Sequence, residues 1–521
     1  MNKMRSILLC LSILGCLLFS TPLWAAADPV LDEIKALVES YYLRDVDWDR
    51  LQVDSPGALV AELGDPHSEY LKAEEMEEFI SSIEGNYAGI GVYLNAGQSA
   101  DGIEISGIIP NSPADQAGIK TGDIIVRVNR KSLEGLDLDS IQEILLGPAG
   151  TRVEVEVRRG KEHHELILQR ELIQIPQLSC TQLDFNTAYI DIDSFSESAG
   201  QDLLQIMATC REKGADKWII DLRGNPGGYI NTAVDVAGIF LGPSIVTVLE
   251  EREGIITYQA PEPDLQFSDP LLILLDENSA SAAEILAAAI KDYHQGVLLG
   301  QCSYGKGTAQ SIFPLSNGDY LKLTTARFYS PLGYTINGIG VEPDLPLKSL
   351  DMIKAALLLL SDPPDGGAGS VELLANGHIF IIDLALARSS EYWEVWGEVK
   401  GLLQYLPAYK APGEADYSLS TSQQFQNQAG WYYPQARELG ALDNYDNKQE
   451  LLLYISPSWE LDQEQLQLRH AASGVEQPFR VIQEGNFIRI QPEEELLPGE
   501  YWLILEGLVE DTYLARIGIE Q

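Results

Sequence analysis

The spacing of apolar positions changes along the chain, and each change predicts a different kind of structure. Between residues 29 and 83 apolar side chains recur at steps of three and four, which predicts helices with a break at Ser55-Pro56-Gly57. From about Gly85 short apolar runs such as IEISGII and RVEVEVRR alternate with turn residues, which predicts a small β domain. One helix, at about Asp139 to Leu146, interrupts these strands. A helix beside an exposed strand edge is suited to docking an extended peptide.

Residues 175–347 follow a second pattern, in which strands alternate with helices. The strands TAYIDID, KWIIDLR, PLLILLD and GVLLGQ are almost continuously apolar, and helical runs such as SAAEILAAAIKDY lie between them. Continuously apolar strands are typical of a parallel sheet that helices cover on both faces. In such sheets the functional residues lie at the carboxyl ends of the strands.

The pattern weakens beyond residue 350. A helix at about 350–360 precedes the break Pro363-Pro364-Asp365-Gly366-Gly367 and a mixed segment rich in Trp, Tyr and Leu. From ELLLYIS to the C-terminus apolar and polar residues alternate, with a turn at Leu497-Pro498-Gly499-Glu500. This alternation predicts a β sandwich of roughly 70 residues, a size typical of one small domain.

The N-terminus has the three parts of a secretory signal peptide. Lys3 and Arg5 precede an apolar stretch from Ile7 to Phe19, and the small residues Ala25-Ala26-Ala27 follow. Cleavage after Ala25 or Ala27 would leave an exported protein, whether periplasmic, otherwise extracytoplasmic or secreted. Retention of the leader as an anchor and lipidation of Cys16 are the alternatives, and membrane contact is expected only in those two cases.

Composition restricts the partners and the number of domains. A chain of 521 residues is long enough for several domains, each with its own core. The chain has 78 acidic and 35 basic side chains, and the resulting formal charge of −43 repels nucleic-acid phosphates and anionic lipids. We therefore expect no nucleic-acid partner.

Cysteine and histidine usage predicts no metal or cofactor. Outside the leader the cysteines are Cys180, Cys210 and Cys302, so one bridge plus a thiol and three thiols both stay open. No CxxC is present, and the adjacent His163 and His164 would point to opposite faces of a strand.

Two loops that leave the predicted parallel strands have unusual compositions. The first, DLRGNPGG at 221–228, has glycines that let another molecule approach the backbone N–H groups. The second, DENSASAAE at 276–284, places Ser281 at a helix start, where N–H groups lack intrahelical partners and the dipole is positive. Together the loops could stabilise an oxyanion. Taken singly, Ser281 fits a plain N-cap and NPGG a tight turn, and no GxxxxGK[ST] phosphate loop occurs.

Lys306 lies in the loop after the next strand, between two glycines. Serine needs a base to act as a nucleophile, and lysine can serve only if burial disfavours its charged form and lowers its pKa. The helix and strand between Ser281 and Lys306 make one return crossing of the sheet, which brings both loops to one edge. Gln310 could hold the amine by a hydrogen bond. The alternatives are a surface turn at Lys306 and a Ser-His-Asp triad with His67 or His294, which geometry must judge.

Seven motifs in this order resemble the C-terminal processing proteases, the tail-specific serine peptidases with a Ser-Lys dyad and a PDZ domain. The motifs span about residues 30 to 347 and are LGDPHSEYL, GNYAGIGVYL, PNSPADQAGIKTGDIIVRVN, IIDLRGNPGG, ENSASAAEI, GQCSYGKGTAQ and TTARFYSPLGYTINGIGVEPDL. The family's usual GSASASEI is altered to NSASAAEI, with Asn278 and Ala283 in place of Gly and Ser. The first change is expected to affect the turn before the nucleophile.

The resemblance implies a role for each matching residue. It makes Ser281 the nucleophile, Lys306 the general base and Gln310 the residue that orients the base. It also makes the N–H groups of Gly227 and Ala282 the oxyanion donors. In the β domain, the loop Gly89-Ile90-Gly91 is expected near the terminal carboxylate of a bound substrate tail.

The implied fold is α/β, with a crotonase-like ββα peptidase core, an inserted PDZ-like β domain, a helical N-terminal module and a mainly β C-terminal extension. The expected segments are a signal peptide at 1–27, the helical module at 28–83, the PDZ-like domain at 84–172, the peptidase core at 173–349, a mixed linker or accessory region at 350–445 and a sandwich-like domain at 446–521.

The expected function is that of an exported serine endopeptidase, which hydrolyses unfolded or C-terminally exposed protein segments through an acyl-enzyme. A binding protein with the core as scaffold is one alternative, against which the intact Ser281, Lys306 and Gln310 argue. A crotonase-like acyl-thioester enzyme is another, but it has no use for a Ser-Lys pair. The partners are then protein or peptide substrates. The natural substrate, the effect of the PDZ-like domain on activity, homo-oligomer formation and the role of residues 350–521 stay open.

Overall fold

The computed structural model describes residues 29–51, 53, 55–99, 102–348, 351–362, 370–401, 408–410, 432, 437–445, 451–454, 465–484, 487–508 and 511–519. The expected signal peptide at 1–27, lipidation at Cys16 and the break at 363–367 lie outside these residues. Among the helices of the described ranges, none has both the length and the apolar composition needed to cross a membrane.

The helices, in chain order, are α1 (Pro29–Tyr41), α2 (Pro56–Ala61), α3 (Ala73–Glu84), α4 (Pro113–Gln116), α5 (Leu138–Leu145), α6 (Ala199–Glu212), α7 (Ile230–Leu241), α8 (Ala282–Asp292), α9 (Met352–Leu359), α10 (Leu384–Ala387) and α11 (Trp393–Gly401). A short 3₁₀ helix spans Trp48–Arg50.

The strands, in chain order, are β1 (Glu69–Leu71), β2 (Asn86–Gly89), β3 (Val92–Ser99), β4 (Gly102–Ile108), β5 (Ile124–Val128), β6 (Lys131–Ser132), β7 (Arg152–Arg159), β8 (Glu162–Gln169), β9 (Glu171–Gln174), β10 (Leu178–Gln182), β11 (Thr187–Ile192), β12 (Lys217–Asp221), β13 (Ile245–Glu251), β14 (Gly254–Gln259), β15 (Leu271–Leu275), β16 (Val297–Gly300), β17 (Thr308–Pro314), β18 (Tyr320–Tyr329), β19 (Leu345–Pro346), β20 (Ser370–Ala375), β21 (His378–Asp383), β22 (Ala408–Lys410), β23 (Arg437–Tyr445), β24 (Leu451–Tyr454), β25 (Leu466–His470), β26 (Phe479–Glu484), β27 (Phe487–Pro492), β28 (Gly499–Leu508) and β29 (Asp511–Ile519).

The chain forms two compact units. One contains the described part of Met1–Ile80 with Leu249–Ile256 and Thr308–Arg327, and the other contains Ser81–Val248, Thr257–Gly307 and the described part of Phe328–Gln521.

The first unit joins the N-terminal helices to strands from the middle of the chain. β1 and β17 both pair antiparallel with β18. Ile34 and Leu59 of the helices are fully buried in one cluster with Leu321 and Leu323 of β18. The expected module at 28–83 is helical, but its core includes β17 and β18, which the segment boundaries assigned to 173–349. A helix with one apolar stripe must bury that stripe against another element, and a local pattern does not show which element this is.

The β domain of the second unit is built as the sequence predicts. Its strands lie in the order β3-β4-β5-β7-β8, with β6 beside β5, and α5 covers their buried face. α5 lies within one residue of its predicted bounds. The helix begins at Leu138 because the carboxylate of Asp137 accepts the Ser140 N–H at 2.8 Å and caps the first turn. β2 and β9 pair antiparallel where the chain enters and leaves the domain.

A six-stranded sheet in the order β10-β11-β12-β15-β16-β19 forms the centre of the second unit. β10 is an antiparallel edge strand, and the other neighbours pair in parallel. All five residues of β15 are buried, which explains its continuous apolar run. Helices α6, α7 and α8 connect the parallel strands, as the alternating pattern predicts.

The region at 350–445 was expected to be a linker or an accessory region, and its described parts form an accessory layer over one face of this sheet. Val371 of β20 and Trp396 of α11 are fully buried in the same core as Ile219 and Leu272 of the sheet. A parallel sheet exposes apolar side chains on both faces, so a second layer must cover the face that the connecting helices leave open.

The C-terminal strands form two sheets with a common core, in agreement with the predicted sandwich. The orders are β23-β29-β28-β25 and β24-β27-β26. Leu468 and Ile517 of one sheet and Ile490 of the other are fully buried in one cluster. The domain begins earlier than residue 446, since β23 spans Arg437–Tyr445 and pairs in parallel with β29.

Candidate active site

Three loops of the predicted site leave the same edge of the parallel sheet. β12 pairs in parallel with β15, and β15 with β16, so the loops that follow these strands emerge side by side. The Ala280 N–H donates to the Asn225 carbonyl at 2.9 Å, and the Tyr304 N–H donates to the Ser279 carbonyl at 2.9 Å. The expected return crossing is therefore present, with α8 and β16 between the second and third loops.

Ser281 has an unusual backbone conformation. It is the N-cap of α8, with φ 56° and ψ −113°, and it is partly buried. A side-chain-bearing residue in such a region costs on the order of 1–3 kcal/mol and persists only where the surroundings hold it. A strained serine on a sharp turn from strand to helix is how α/β hydrolases present a nucleophile. Ser281 is thus more than an ordinary N-cap.

Gly227 packs directly against Ser281. A Cβ at position 227 would lie 2.7 Å from the Ser281 Cβ and 3.0 Å from the Ala282 nitrogen, and φ at Gly227 is 109°. Only glycine allows this approach. The two N–H groups expected to form the oxyanion site are therefore next to the predicted nucleophile.

The N–H of Gly227 is already engaged. It donates to Oδ1 of Asn225 at 2.8 Å, and Nδ2 of the fully buried Asn225 donates to the Ile192 carbonyl at 2.6 Å. An Asn side chain that accepts the N–H two residues later is the usual stabiliser of such a turn. The Gly227 N–H is therefore engaged by Asn225 in this structure, and its expected role as an oxyanion donor stays a prediction.

Glu284 holds the Ser281 and Lys306 loops together. It is fully buried, and its Oε2 accepts the N–H of Ser281 at 2.8 Å and the N–H of Lys306 at 2.9 Å. Its Oε1 accepts the Gly305 N–H at 2.6 Å and the Ser303 hydroxyl at 2.5 Å. Burial raises the pKa of Glu284, and the bonds from Ser303 and the backbone oppose that shift.

The shared oxygen brings the two predicted catalytic residues close in space. Because the Ser281 and Lys306 nitrogens both bond to Oε2, they lie less than about 6 Å apart. Lys306 is partly buried. A Cβ at position 307 would lie 2.3 Å from the Asn337 nitrogen, so close packing against Asn337 explains why residue 307 is a glycine. The role of Glu284 was not predicted, although a glutamate three residues after a serine N-cap is the signature of a capping box.

The departures from the usual motif leave the turn intact. The Asn278 N–H donates to Oδ1 of Asp276 at 3.0 Å, and that oxygen also accepts the Gly224 N–H at 2.9 Å. Asn278 has no positive φ, so the turn does not require glycine there. Ala283 is fully buried and is part of the first turn of α8.

An ion pair between a buried aspartate and a partly exposed arginine supports the first loop. Asp221 is 2% exposed and accepts from Nη2 of Arg223 at 2.5 Å and from the Tyr189 hydroxyl at 2.8 Å. The hydrogen bond to Asp221 raises the pKa of Arg223 further above its ordinary value. Sequence reasoning did not predict this ion pair. The spacing of Asp221 and Arg223, two residues apart at the end of an apolar strand, could have indicated it.

His294 is excluded as the base. It follows the C-terminal end of α8, whereas Ser281 begins the same helix, which separates them by about 16 Å at 1.5 Å per residue. Its Nδ1 lies 2.5 Å from Oδ1 of Asn376. His67 belongs to the first unit, where its N–H donates to Asp65 at 3.1 Å.

Gln310 also belongs to the first unit. Its side-chain amide donates to the carbonyl and hydroxyl of Thr308 at 3.3 Å and 3.2 Å, and to the Thr324 hydroxyl at 3.4 Å. Its expected action on Lys306 stays a prediction.

The expected tail-docking loop lines a cavity of about 610 Å³ in the β domain. Gly89, Ile90 and Gly91 form part of its wall, together with Leu145 and Leu146 at the end of α5. Val92 and Leu94 add apolar surface to this wall, and polar residues such as Ser106 and Gln142 also line the cavity. In the described parts of the chain, no group of three or more His, Cys, Asp or Glu residues is arranged to hold a metal ion.

Two sequence families match the chain. Peptidase family S41 matches residues 186–347, which contain Ser281 and Lys306, and the PDZ domain matches residues 104–159. The photosystem II D1 C-terminal processing protease is a solved structure with 24% sequence identity and a TM-score of 0.43, which covers 65% of this chain and 98% of its own.

Curated relatives agree with these matches. The carboxy-terminal processing protease CtpA of Bacillus subtilis is 32% identical over 325 residues, which is 62% of this chain and 69% of the relative. A probable CtpA-like serine protease of Staphylococcus aureus is 31% identical over 321 residues, which is 61% of this chain and 64% of the relative. With the strained serine, the neighbouring lysine loop and a PDZ domain, the chain belongs to peptidase family S41, among the carboxy-terminal processing serine proteases.

Proposed function

We propose that the protein is an exported endopeptidase that cleaves unfolded or C-terminally exposed protein segments with Ser281 and Lys306. The buried carboxylate of Glu284, which bonds to the N–H groups of both residues, is the observation that carries this proposal. The leader-like N-terminus supports export. The parallel strands with helices between them support a crotonase-like ββα core.

The reaction begins when the uncharged amine of Lys306 removes the proton of the Ser281 hydroxyl as Oγ attacks a peptide carbonyl. The carbonyl oxygen gains negative charge, which the Ala282 N–H receives at the positive end of α8. The Gly227 N–H joins as second donor when it exchanges Asn225 for this oxygen. The protonated lysine then donates to the leaving amine, and an acyl-enzyme remains.

Water completes the cycle. Lys306 accepts a proton from water as the water oxygen attacks the ester carbonyl, and then donates that proton to Ser281 Oγ as the acyl C–O bond breaks. The product leaves as a carboxylic acid that ionises in solvent, and Ser281 and the uncharged Lys306 are restored. The PDZ domain binds the substrate's C-terminal tail, whose carboxylate lies near Gly89-Ile90-Gly91 and whose last apolar side chain enters the cavity beside Leu145.

Ser281→Ala and Lys306→Ala should each lower the turnover of an unstructured protein such as casein by at least about 10⁴-fold, because the nucleophile and base act as one unit. Product peptides followed by mass spectrometry measure the rate, and circular dichroism establishes that the variants are folded. Glu277→Gln, an exposed change in the same loop, is the control and should retain wild-type turnover. Substantial cleavage by either alanine variant would rule out the dyad, while an inactive wild type that still binds tails would favour the binding protein.

A further inference from the structure

Two of the cysteines outside the leader face each other at one edge of the central sheet. Cys180 lies on the edge strand β10, and Cys210 lies in the last turn of α6. Their sulfur atoms are 2.9 Å apart, although 30 residues separate them in sequence. An approach of about 1 Å would bring the two atoms to the disulfide bond length of about 2.05 Å.

We propose that Cys180 and Cys210 form a disulfide bond that joins β10 to α6, and that Cys302 stays a thiol. This pairing selects one of the alternatives that the odd number of cysteines leaves open.

The position of Cys302 excludes the other pairings. Cys302 follows β16, and β16 is four strands away from β10 in the sheet order. At about 4.8 Å per strand this separation is roughly 19 Å, whereas the Cα atoms of a disulfide lie less than about 7 Å apart. The Cys302 Sγ donates instead to the Ile339 carbonyl at 3.2 Å.

The pair is accessible to an oxidant. Both cysteines line a cavity of about 670 Å³ between β10 and α6, and Cys180 is exposed while Cys210 is buried. The Cys180 thiolate attacks the disulfide of a small-molecule or protein oxidant and expels one thiolate. The Cys210 thiolate then attacks the Cys180 sulfur of this mixed disulfide and expels the second thiolate. The two cysteine protons pass to the two thiolates, so the oxidant becomes a pair of thiols.

The surroundings favour a structural bond over a reversible switch. Although Cys180 is exposed to solvent, partial desolvation by its neighbours, followed by the hydrogen bond and charge of Cys210, raises its pKa to about 12. Reactive redox cysteines have lowered pKa values, because the thiolate is both the attacking and the leaving species. This bond therefore forms slowly without a catalyst and, once formed, is slow to exchange.

The bond would fix the strand that follows the PDZ domain. β10 begins four residues after β9, the strand on which the chain leaves that domain. As an edge strand, β10 is held by hydrogen bonds to β11 on one side only. A covalent link to α6 would hold this strand in place while the neighbouring domain binds a tail.

The test is a thiol map of the full chain after equilibration with glutathione disulfide. The unreduced protein is denatured, alkylated with N-ethylmaleimide and digested. Trypsin leaves both cysteines on one peptide, residues 171–211, because no Lys or Arg lies between Glu171 and Cys210. We expect this peptide unalkylated and lighter by two hydrogen atoms than its reduced form. A protease specific for Asp should then give two peptides joined only by the bridge, with Cys302 fully alkylated.

Variants separate the bond from general effects of substitution. Cys302→Ser should retain the bridged peptide, whereas Cys180→Ser should make Cys210 fully reactive with the maleimide. A phosphine reductant should lower the apparent Tm of the wild type and of Cys302→Ser, and leave that of Cys180→Ser/Cys210→Ser unchanged. Alkylation of both Cys180 and Cys210 in the equilibrated wild type, or a bridge to Cys302, would overturn the proposal.

Discussion

At the scale of single residues, one buried carboxylate organises the candidate site. Glu284 uses both oxygens to accept hydrogen bonds from the loops that carry Ser281 and Lys306. A buried charge is stable only when it is fully hydrogen-bonded, and here its partners are the backbone groups whose positions matter for the reaction. Asn225 has a comparable role in the first loop, where it links strand β11 to the turn at Gly227.

We expect Glu284→Gln to lower kcat by about 10²-fold with a smaller effect on KM, because a displacement of about 1 Å between reacting groups has an effect of this size. The amide has one acceptor oxygen in place of two. Either the N–H groups of Ser281 and Lys306, or the Gly305 N–H and the Ser303 hydroxyl, therefore lose their acceptor. Steady-state kinetics on a peptide substrate measure the change. Glu277→Gln serves as the exposed control, and a Glu284→Gln enzyme with wild-type kcat would show that the carboxylate is not needed for positioning.

At the scale of elements, acidic residues lie at the carboxyl ends of β11 and β12, beside the loops of the candidate site. The parallel register places Asp191 beside Asp221 and brings the loops after β12 and β15 into contact. Burial, together with the charges of Asp193 and Asp221, raises the pKa of Asp191 to about 6. The acidic groups at this end of the sheet therefore carry an electrostatic cost at neutral pH.

Asp191→Asn should stabilise the protein at pH 7.5 by about 1–2 kcal/mol, a figure reduced for solvent screening. Because the pKa is higher in the folded state, the native chain binds this proton more tightly, and stability falls as pH rises from about 4 to about 6. The gain should therefore vanish at pH 4. Urea denaturation at both pH values tests this, with the exposed Asp216→Asn as control. An equal gain at both pH values would contradict the electrostatic origin.

The end of α5 offers a second prediction at this scale. Leu146 is 40% exposed and lines the cavity in the β domain. Leu146→Asp should weaken binding of a peptide with an apolar C-terminal residue by at least about tenfold, since it removes apolar contact and adds charge beside the peptide carboxylate. Fluorescence anisotropy in a Ser281→Ala background measures the Kd.

Ile167→Asp is the matched control for Leu146→Asp, because it adds the same charge to the β domain outside the cavity. Ile167 is 72% exposed on β8 of the same domain and does not line the cavity. Equal affinities for the two variants would place the tail-binding site elsewhere.

At the scale of the whole molecule, the C-terminal region and the central sheet of the second unit share one core. Trp393, Tyr432 and Trp502 form an aromatic cluster. The ring centroid of Tyr432 lies 4.1 Å from that of Trp393 and 5.2 Å from that of Trp502. This cluster is continuous with buried residues of the sheet such as Leu272. The sandwich is therefore part of what stabilises the peptidase core.

Trp502→Ala should lower the free energy of unfolding by about 3–5 kcal/mol, because it leaves a large cavity in that core. The urea midpoint followed by far-ultraviolet circular dichroism measures the loss. Ile482→Ala in β26, at a residue 42% exposed, should have a much smaller effect. If Trp502→Ala left the midpoint unchanged, the C-terminal region and the sheet would be energetically independent.

Local patterns were sufficient for much of this protein. The continuous apolar runs identified β12, β15 and β16, the helical spacing identified α6, α7 and α8, and turn residues placed Ser281 and Lys306 in adjacent loops. These features depend on short-range periodicity, which the chain carries in its own order of residues. Membership among the C-terminal processing proteases was also predicted, from motifs in a fixed order.

Only the tertiary structure decided which distant groups meet. It placed β17 and β18 with the N-terminal helices, used the 350–445 region as a covering layer, and set Cys180 against Cys210. It also showed that the Gly227 N–H donates to the Asn225 side chain, and that Glu284 links the Ser281 and Lys306 loops. Such contacts join residues tens of positions apart, and their partners are selected by burial and hydrogen-bond satisfaction in three dimensions, which no local pattern encodes.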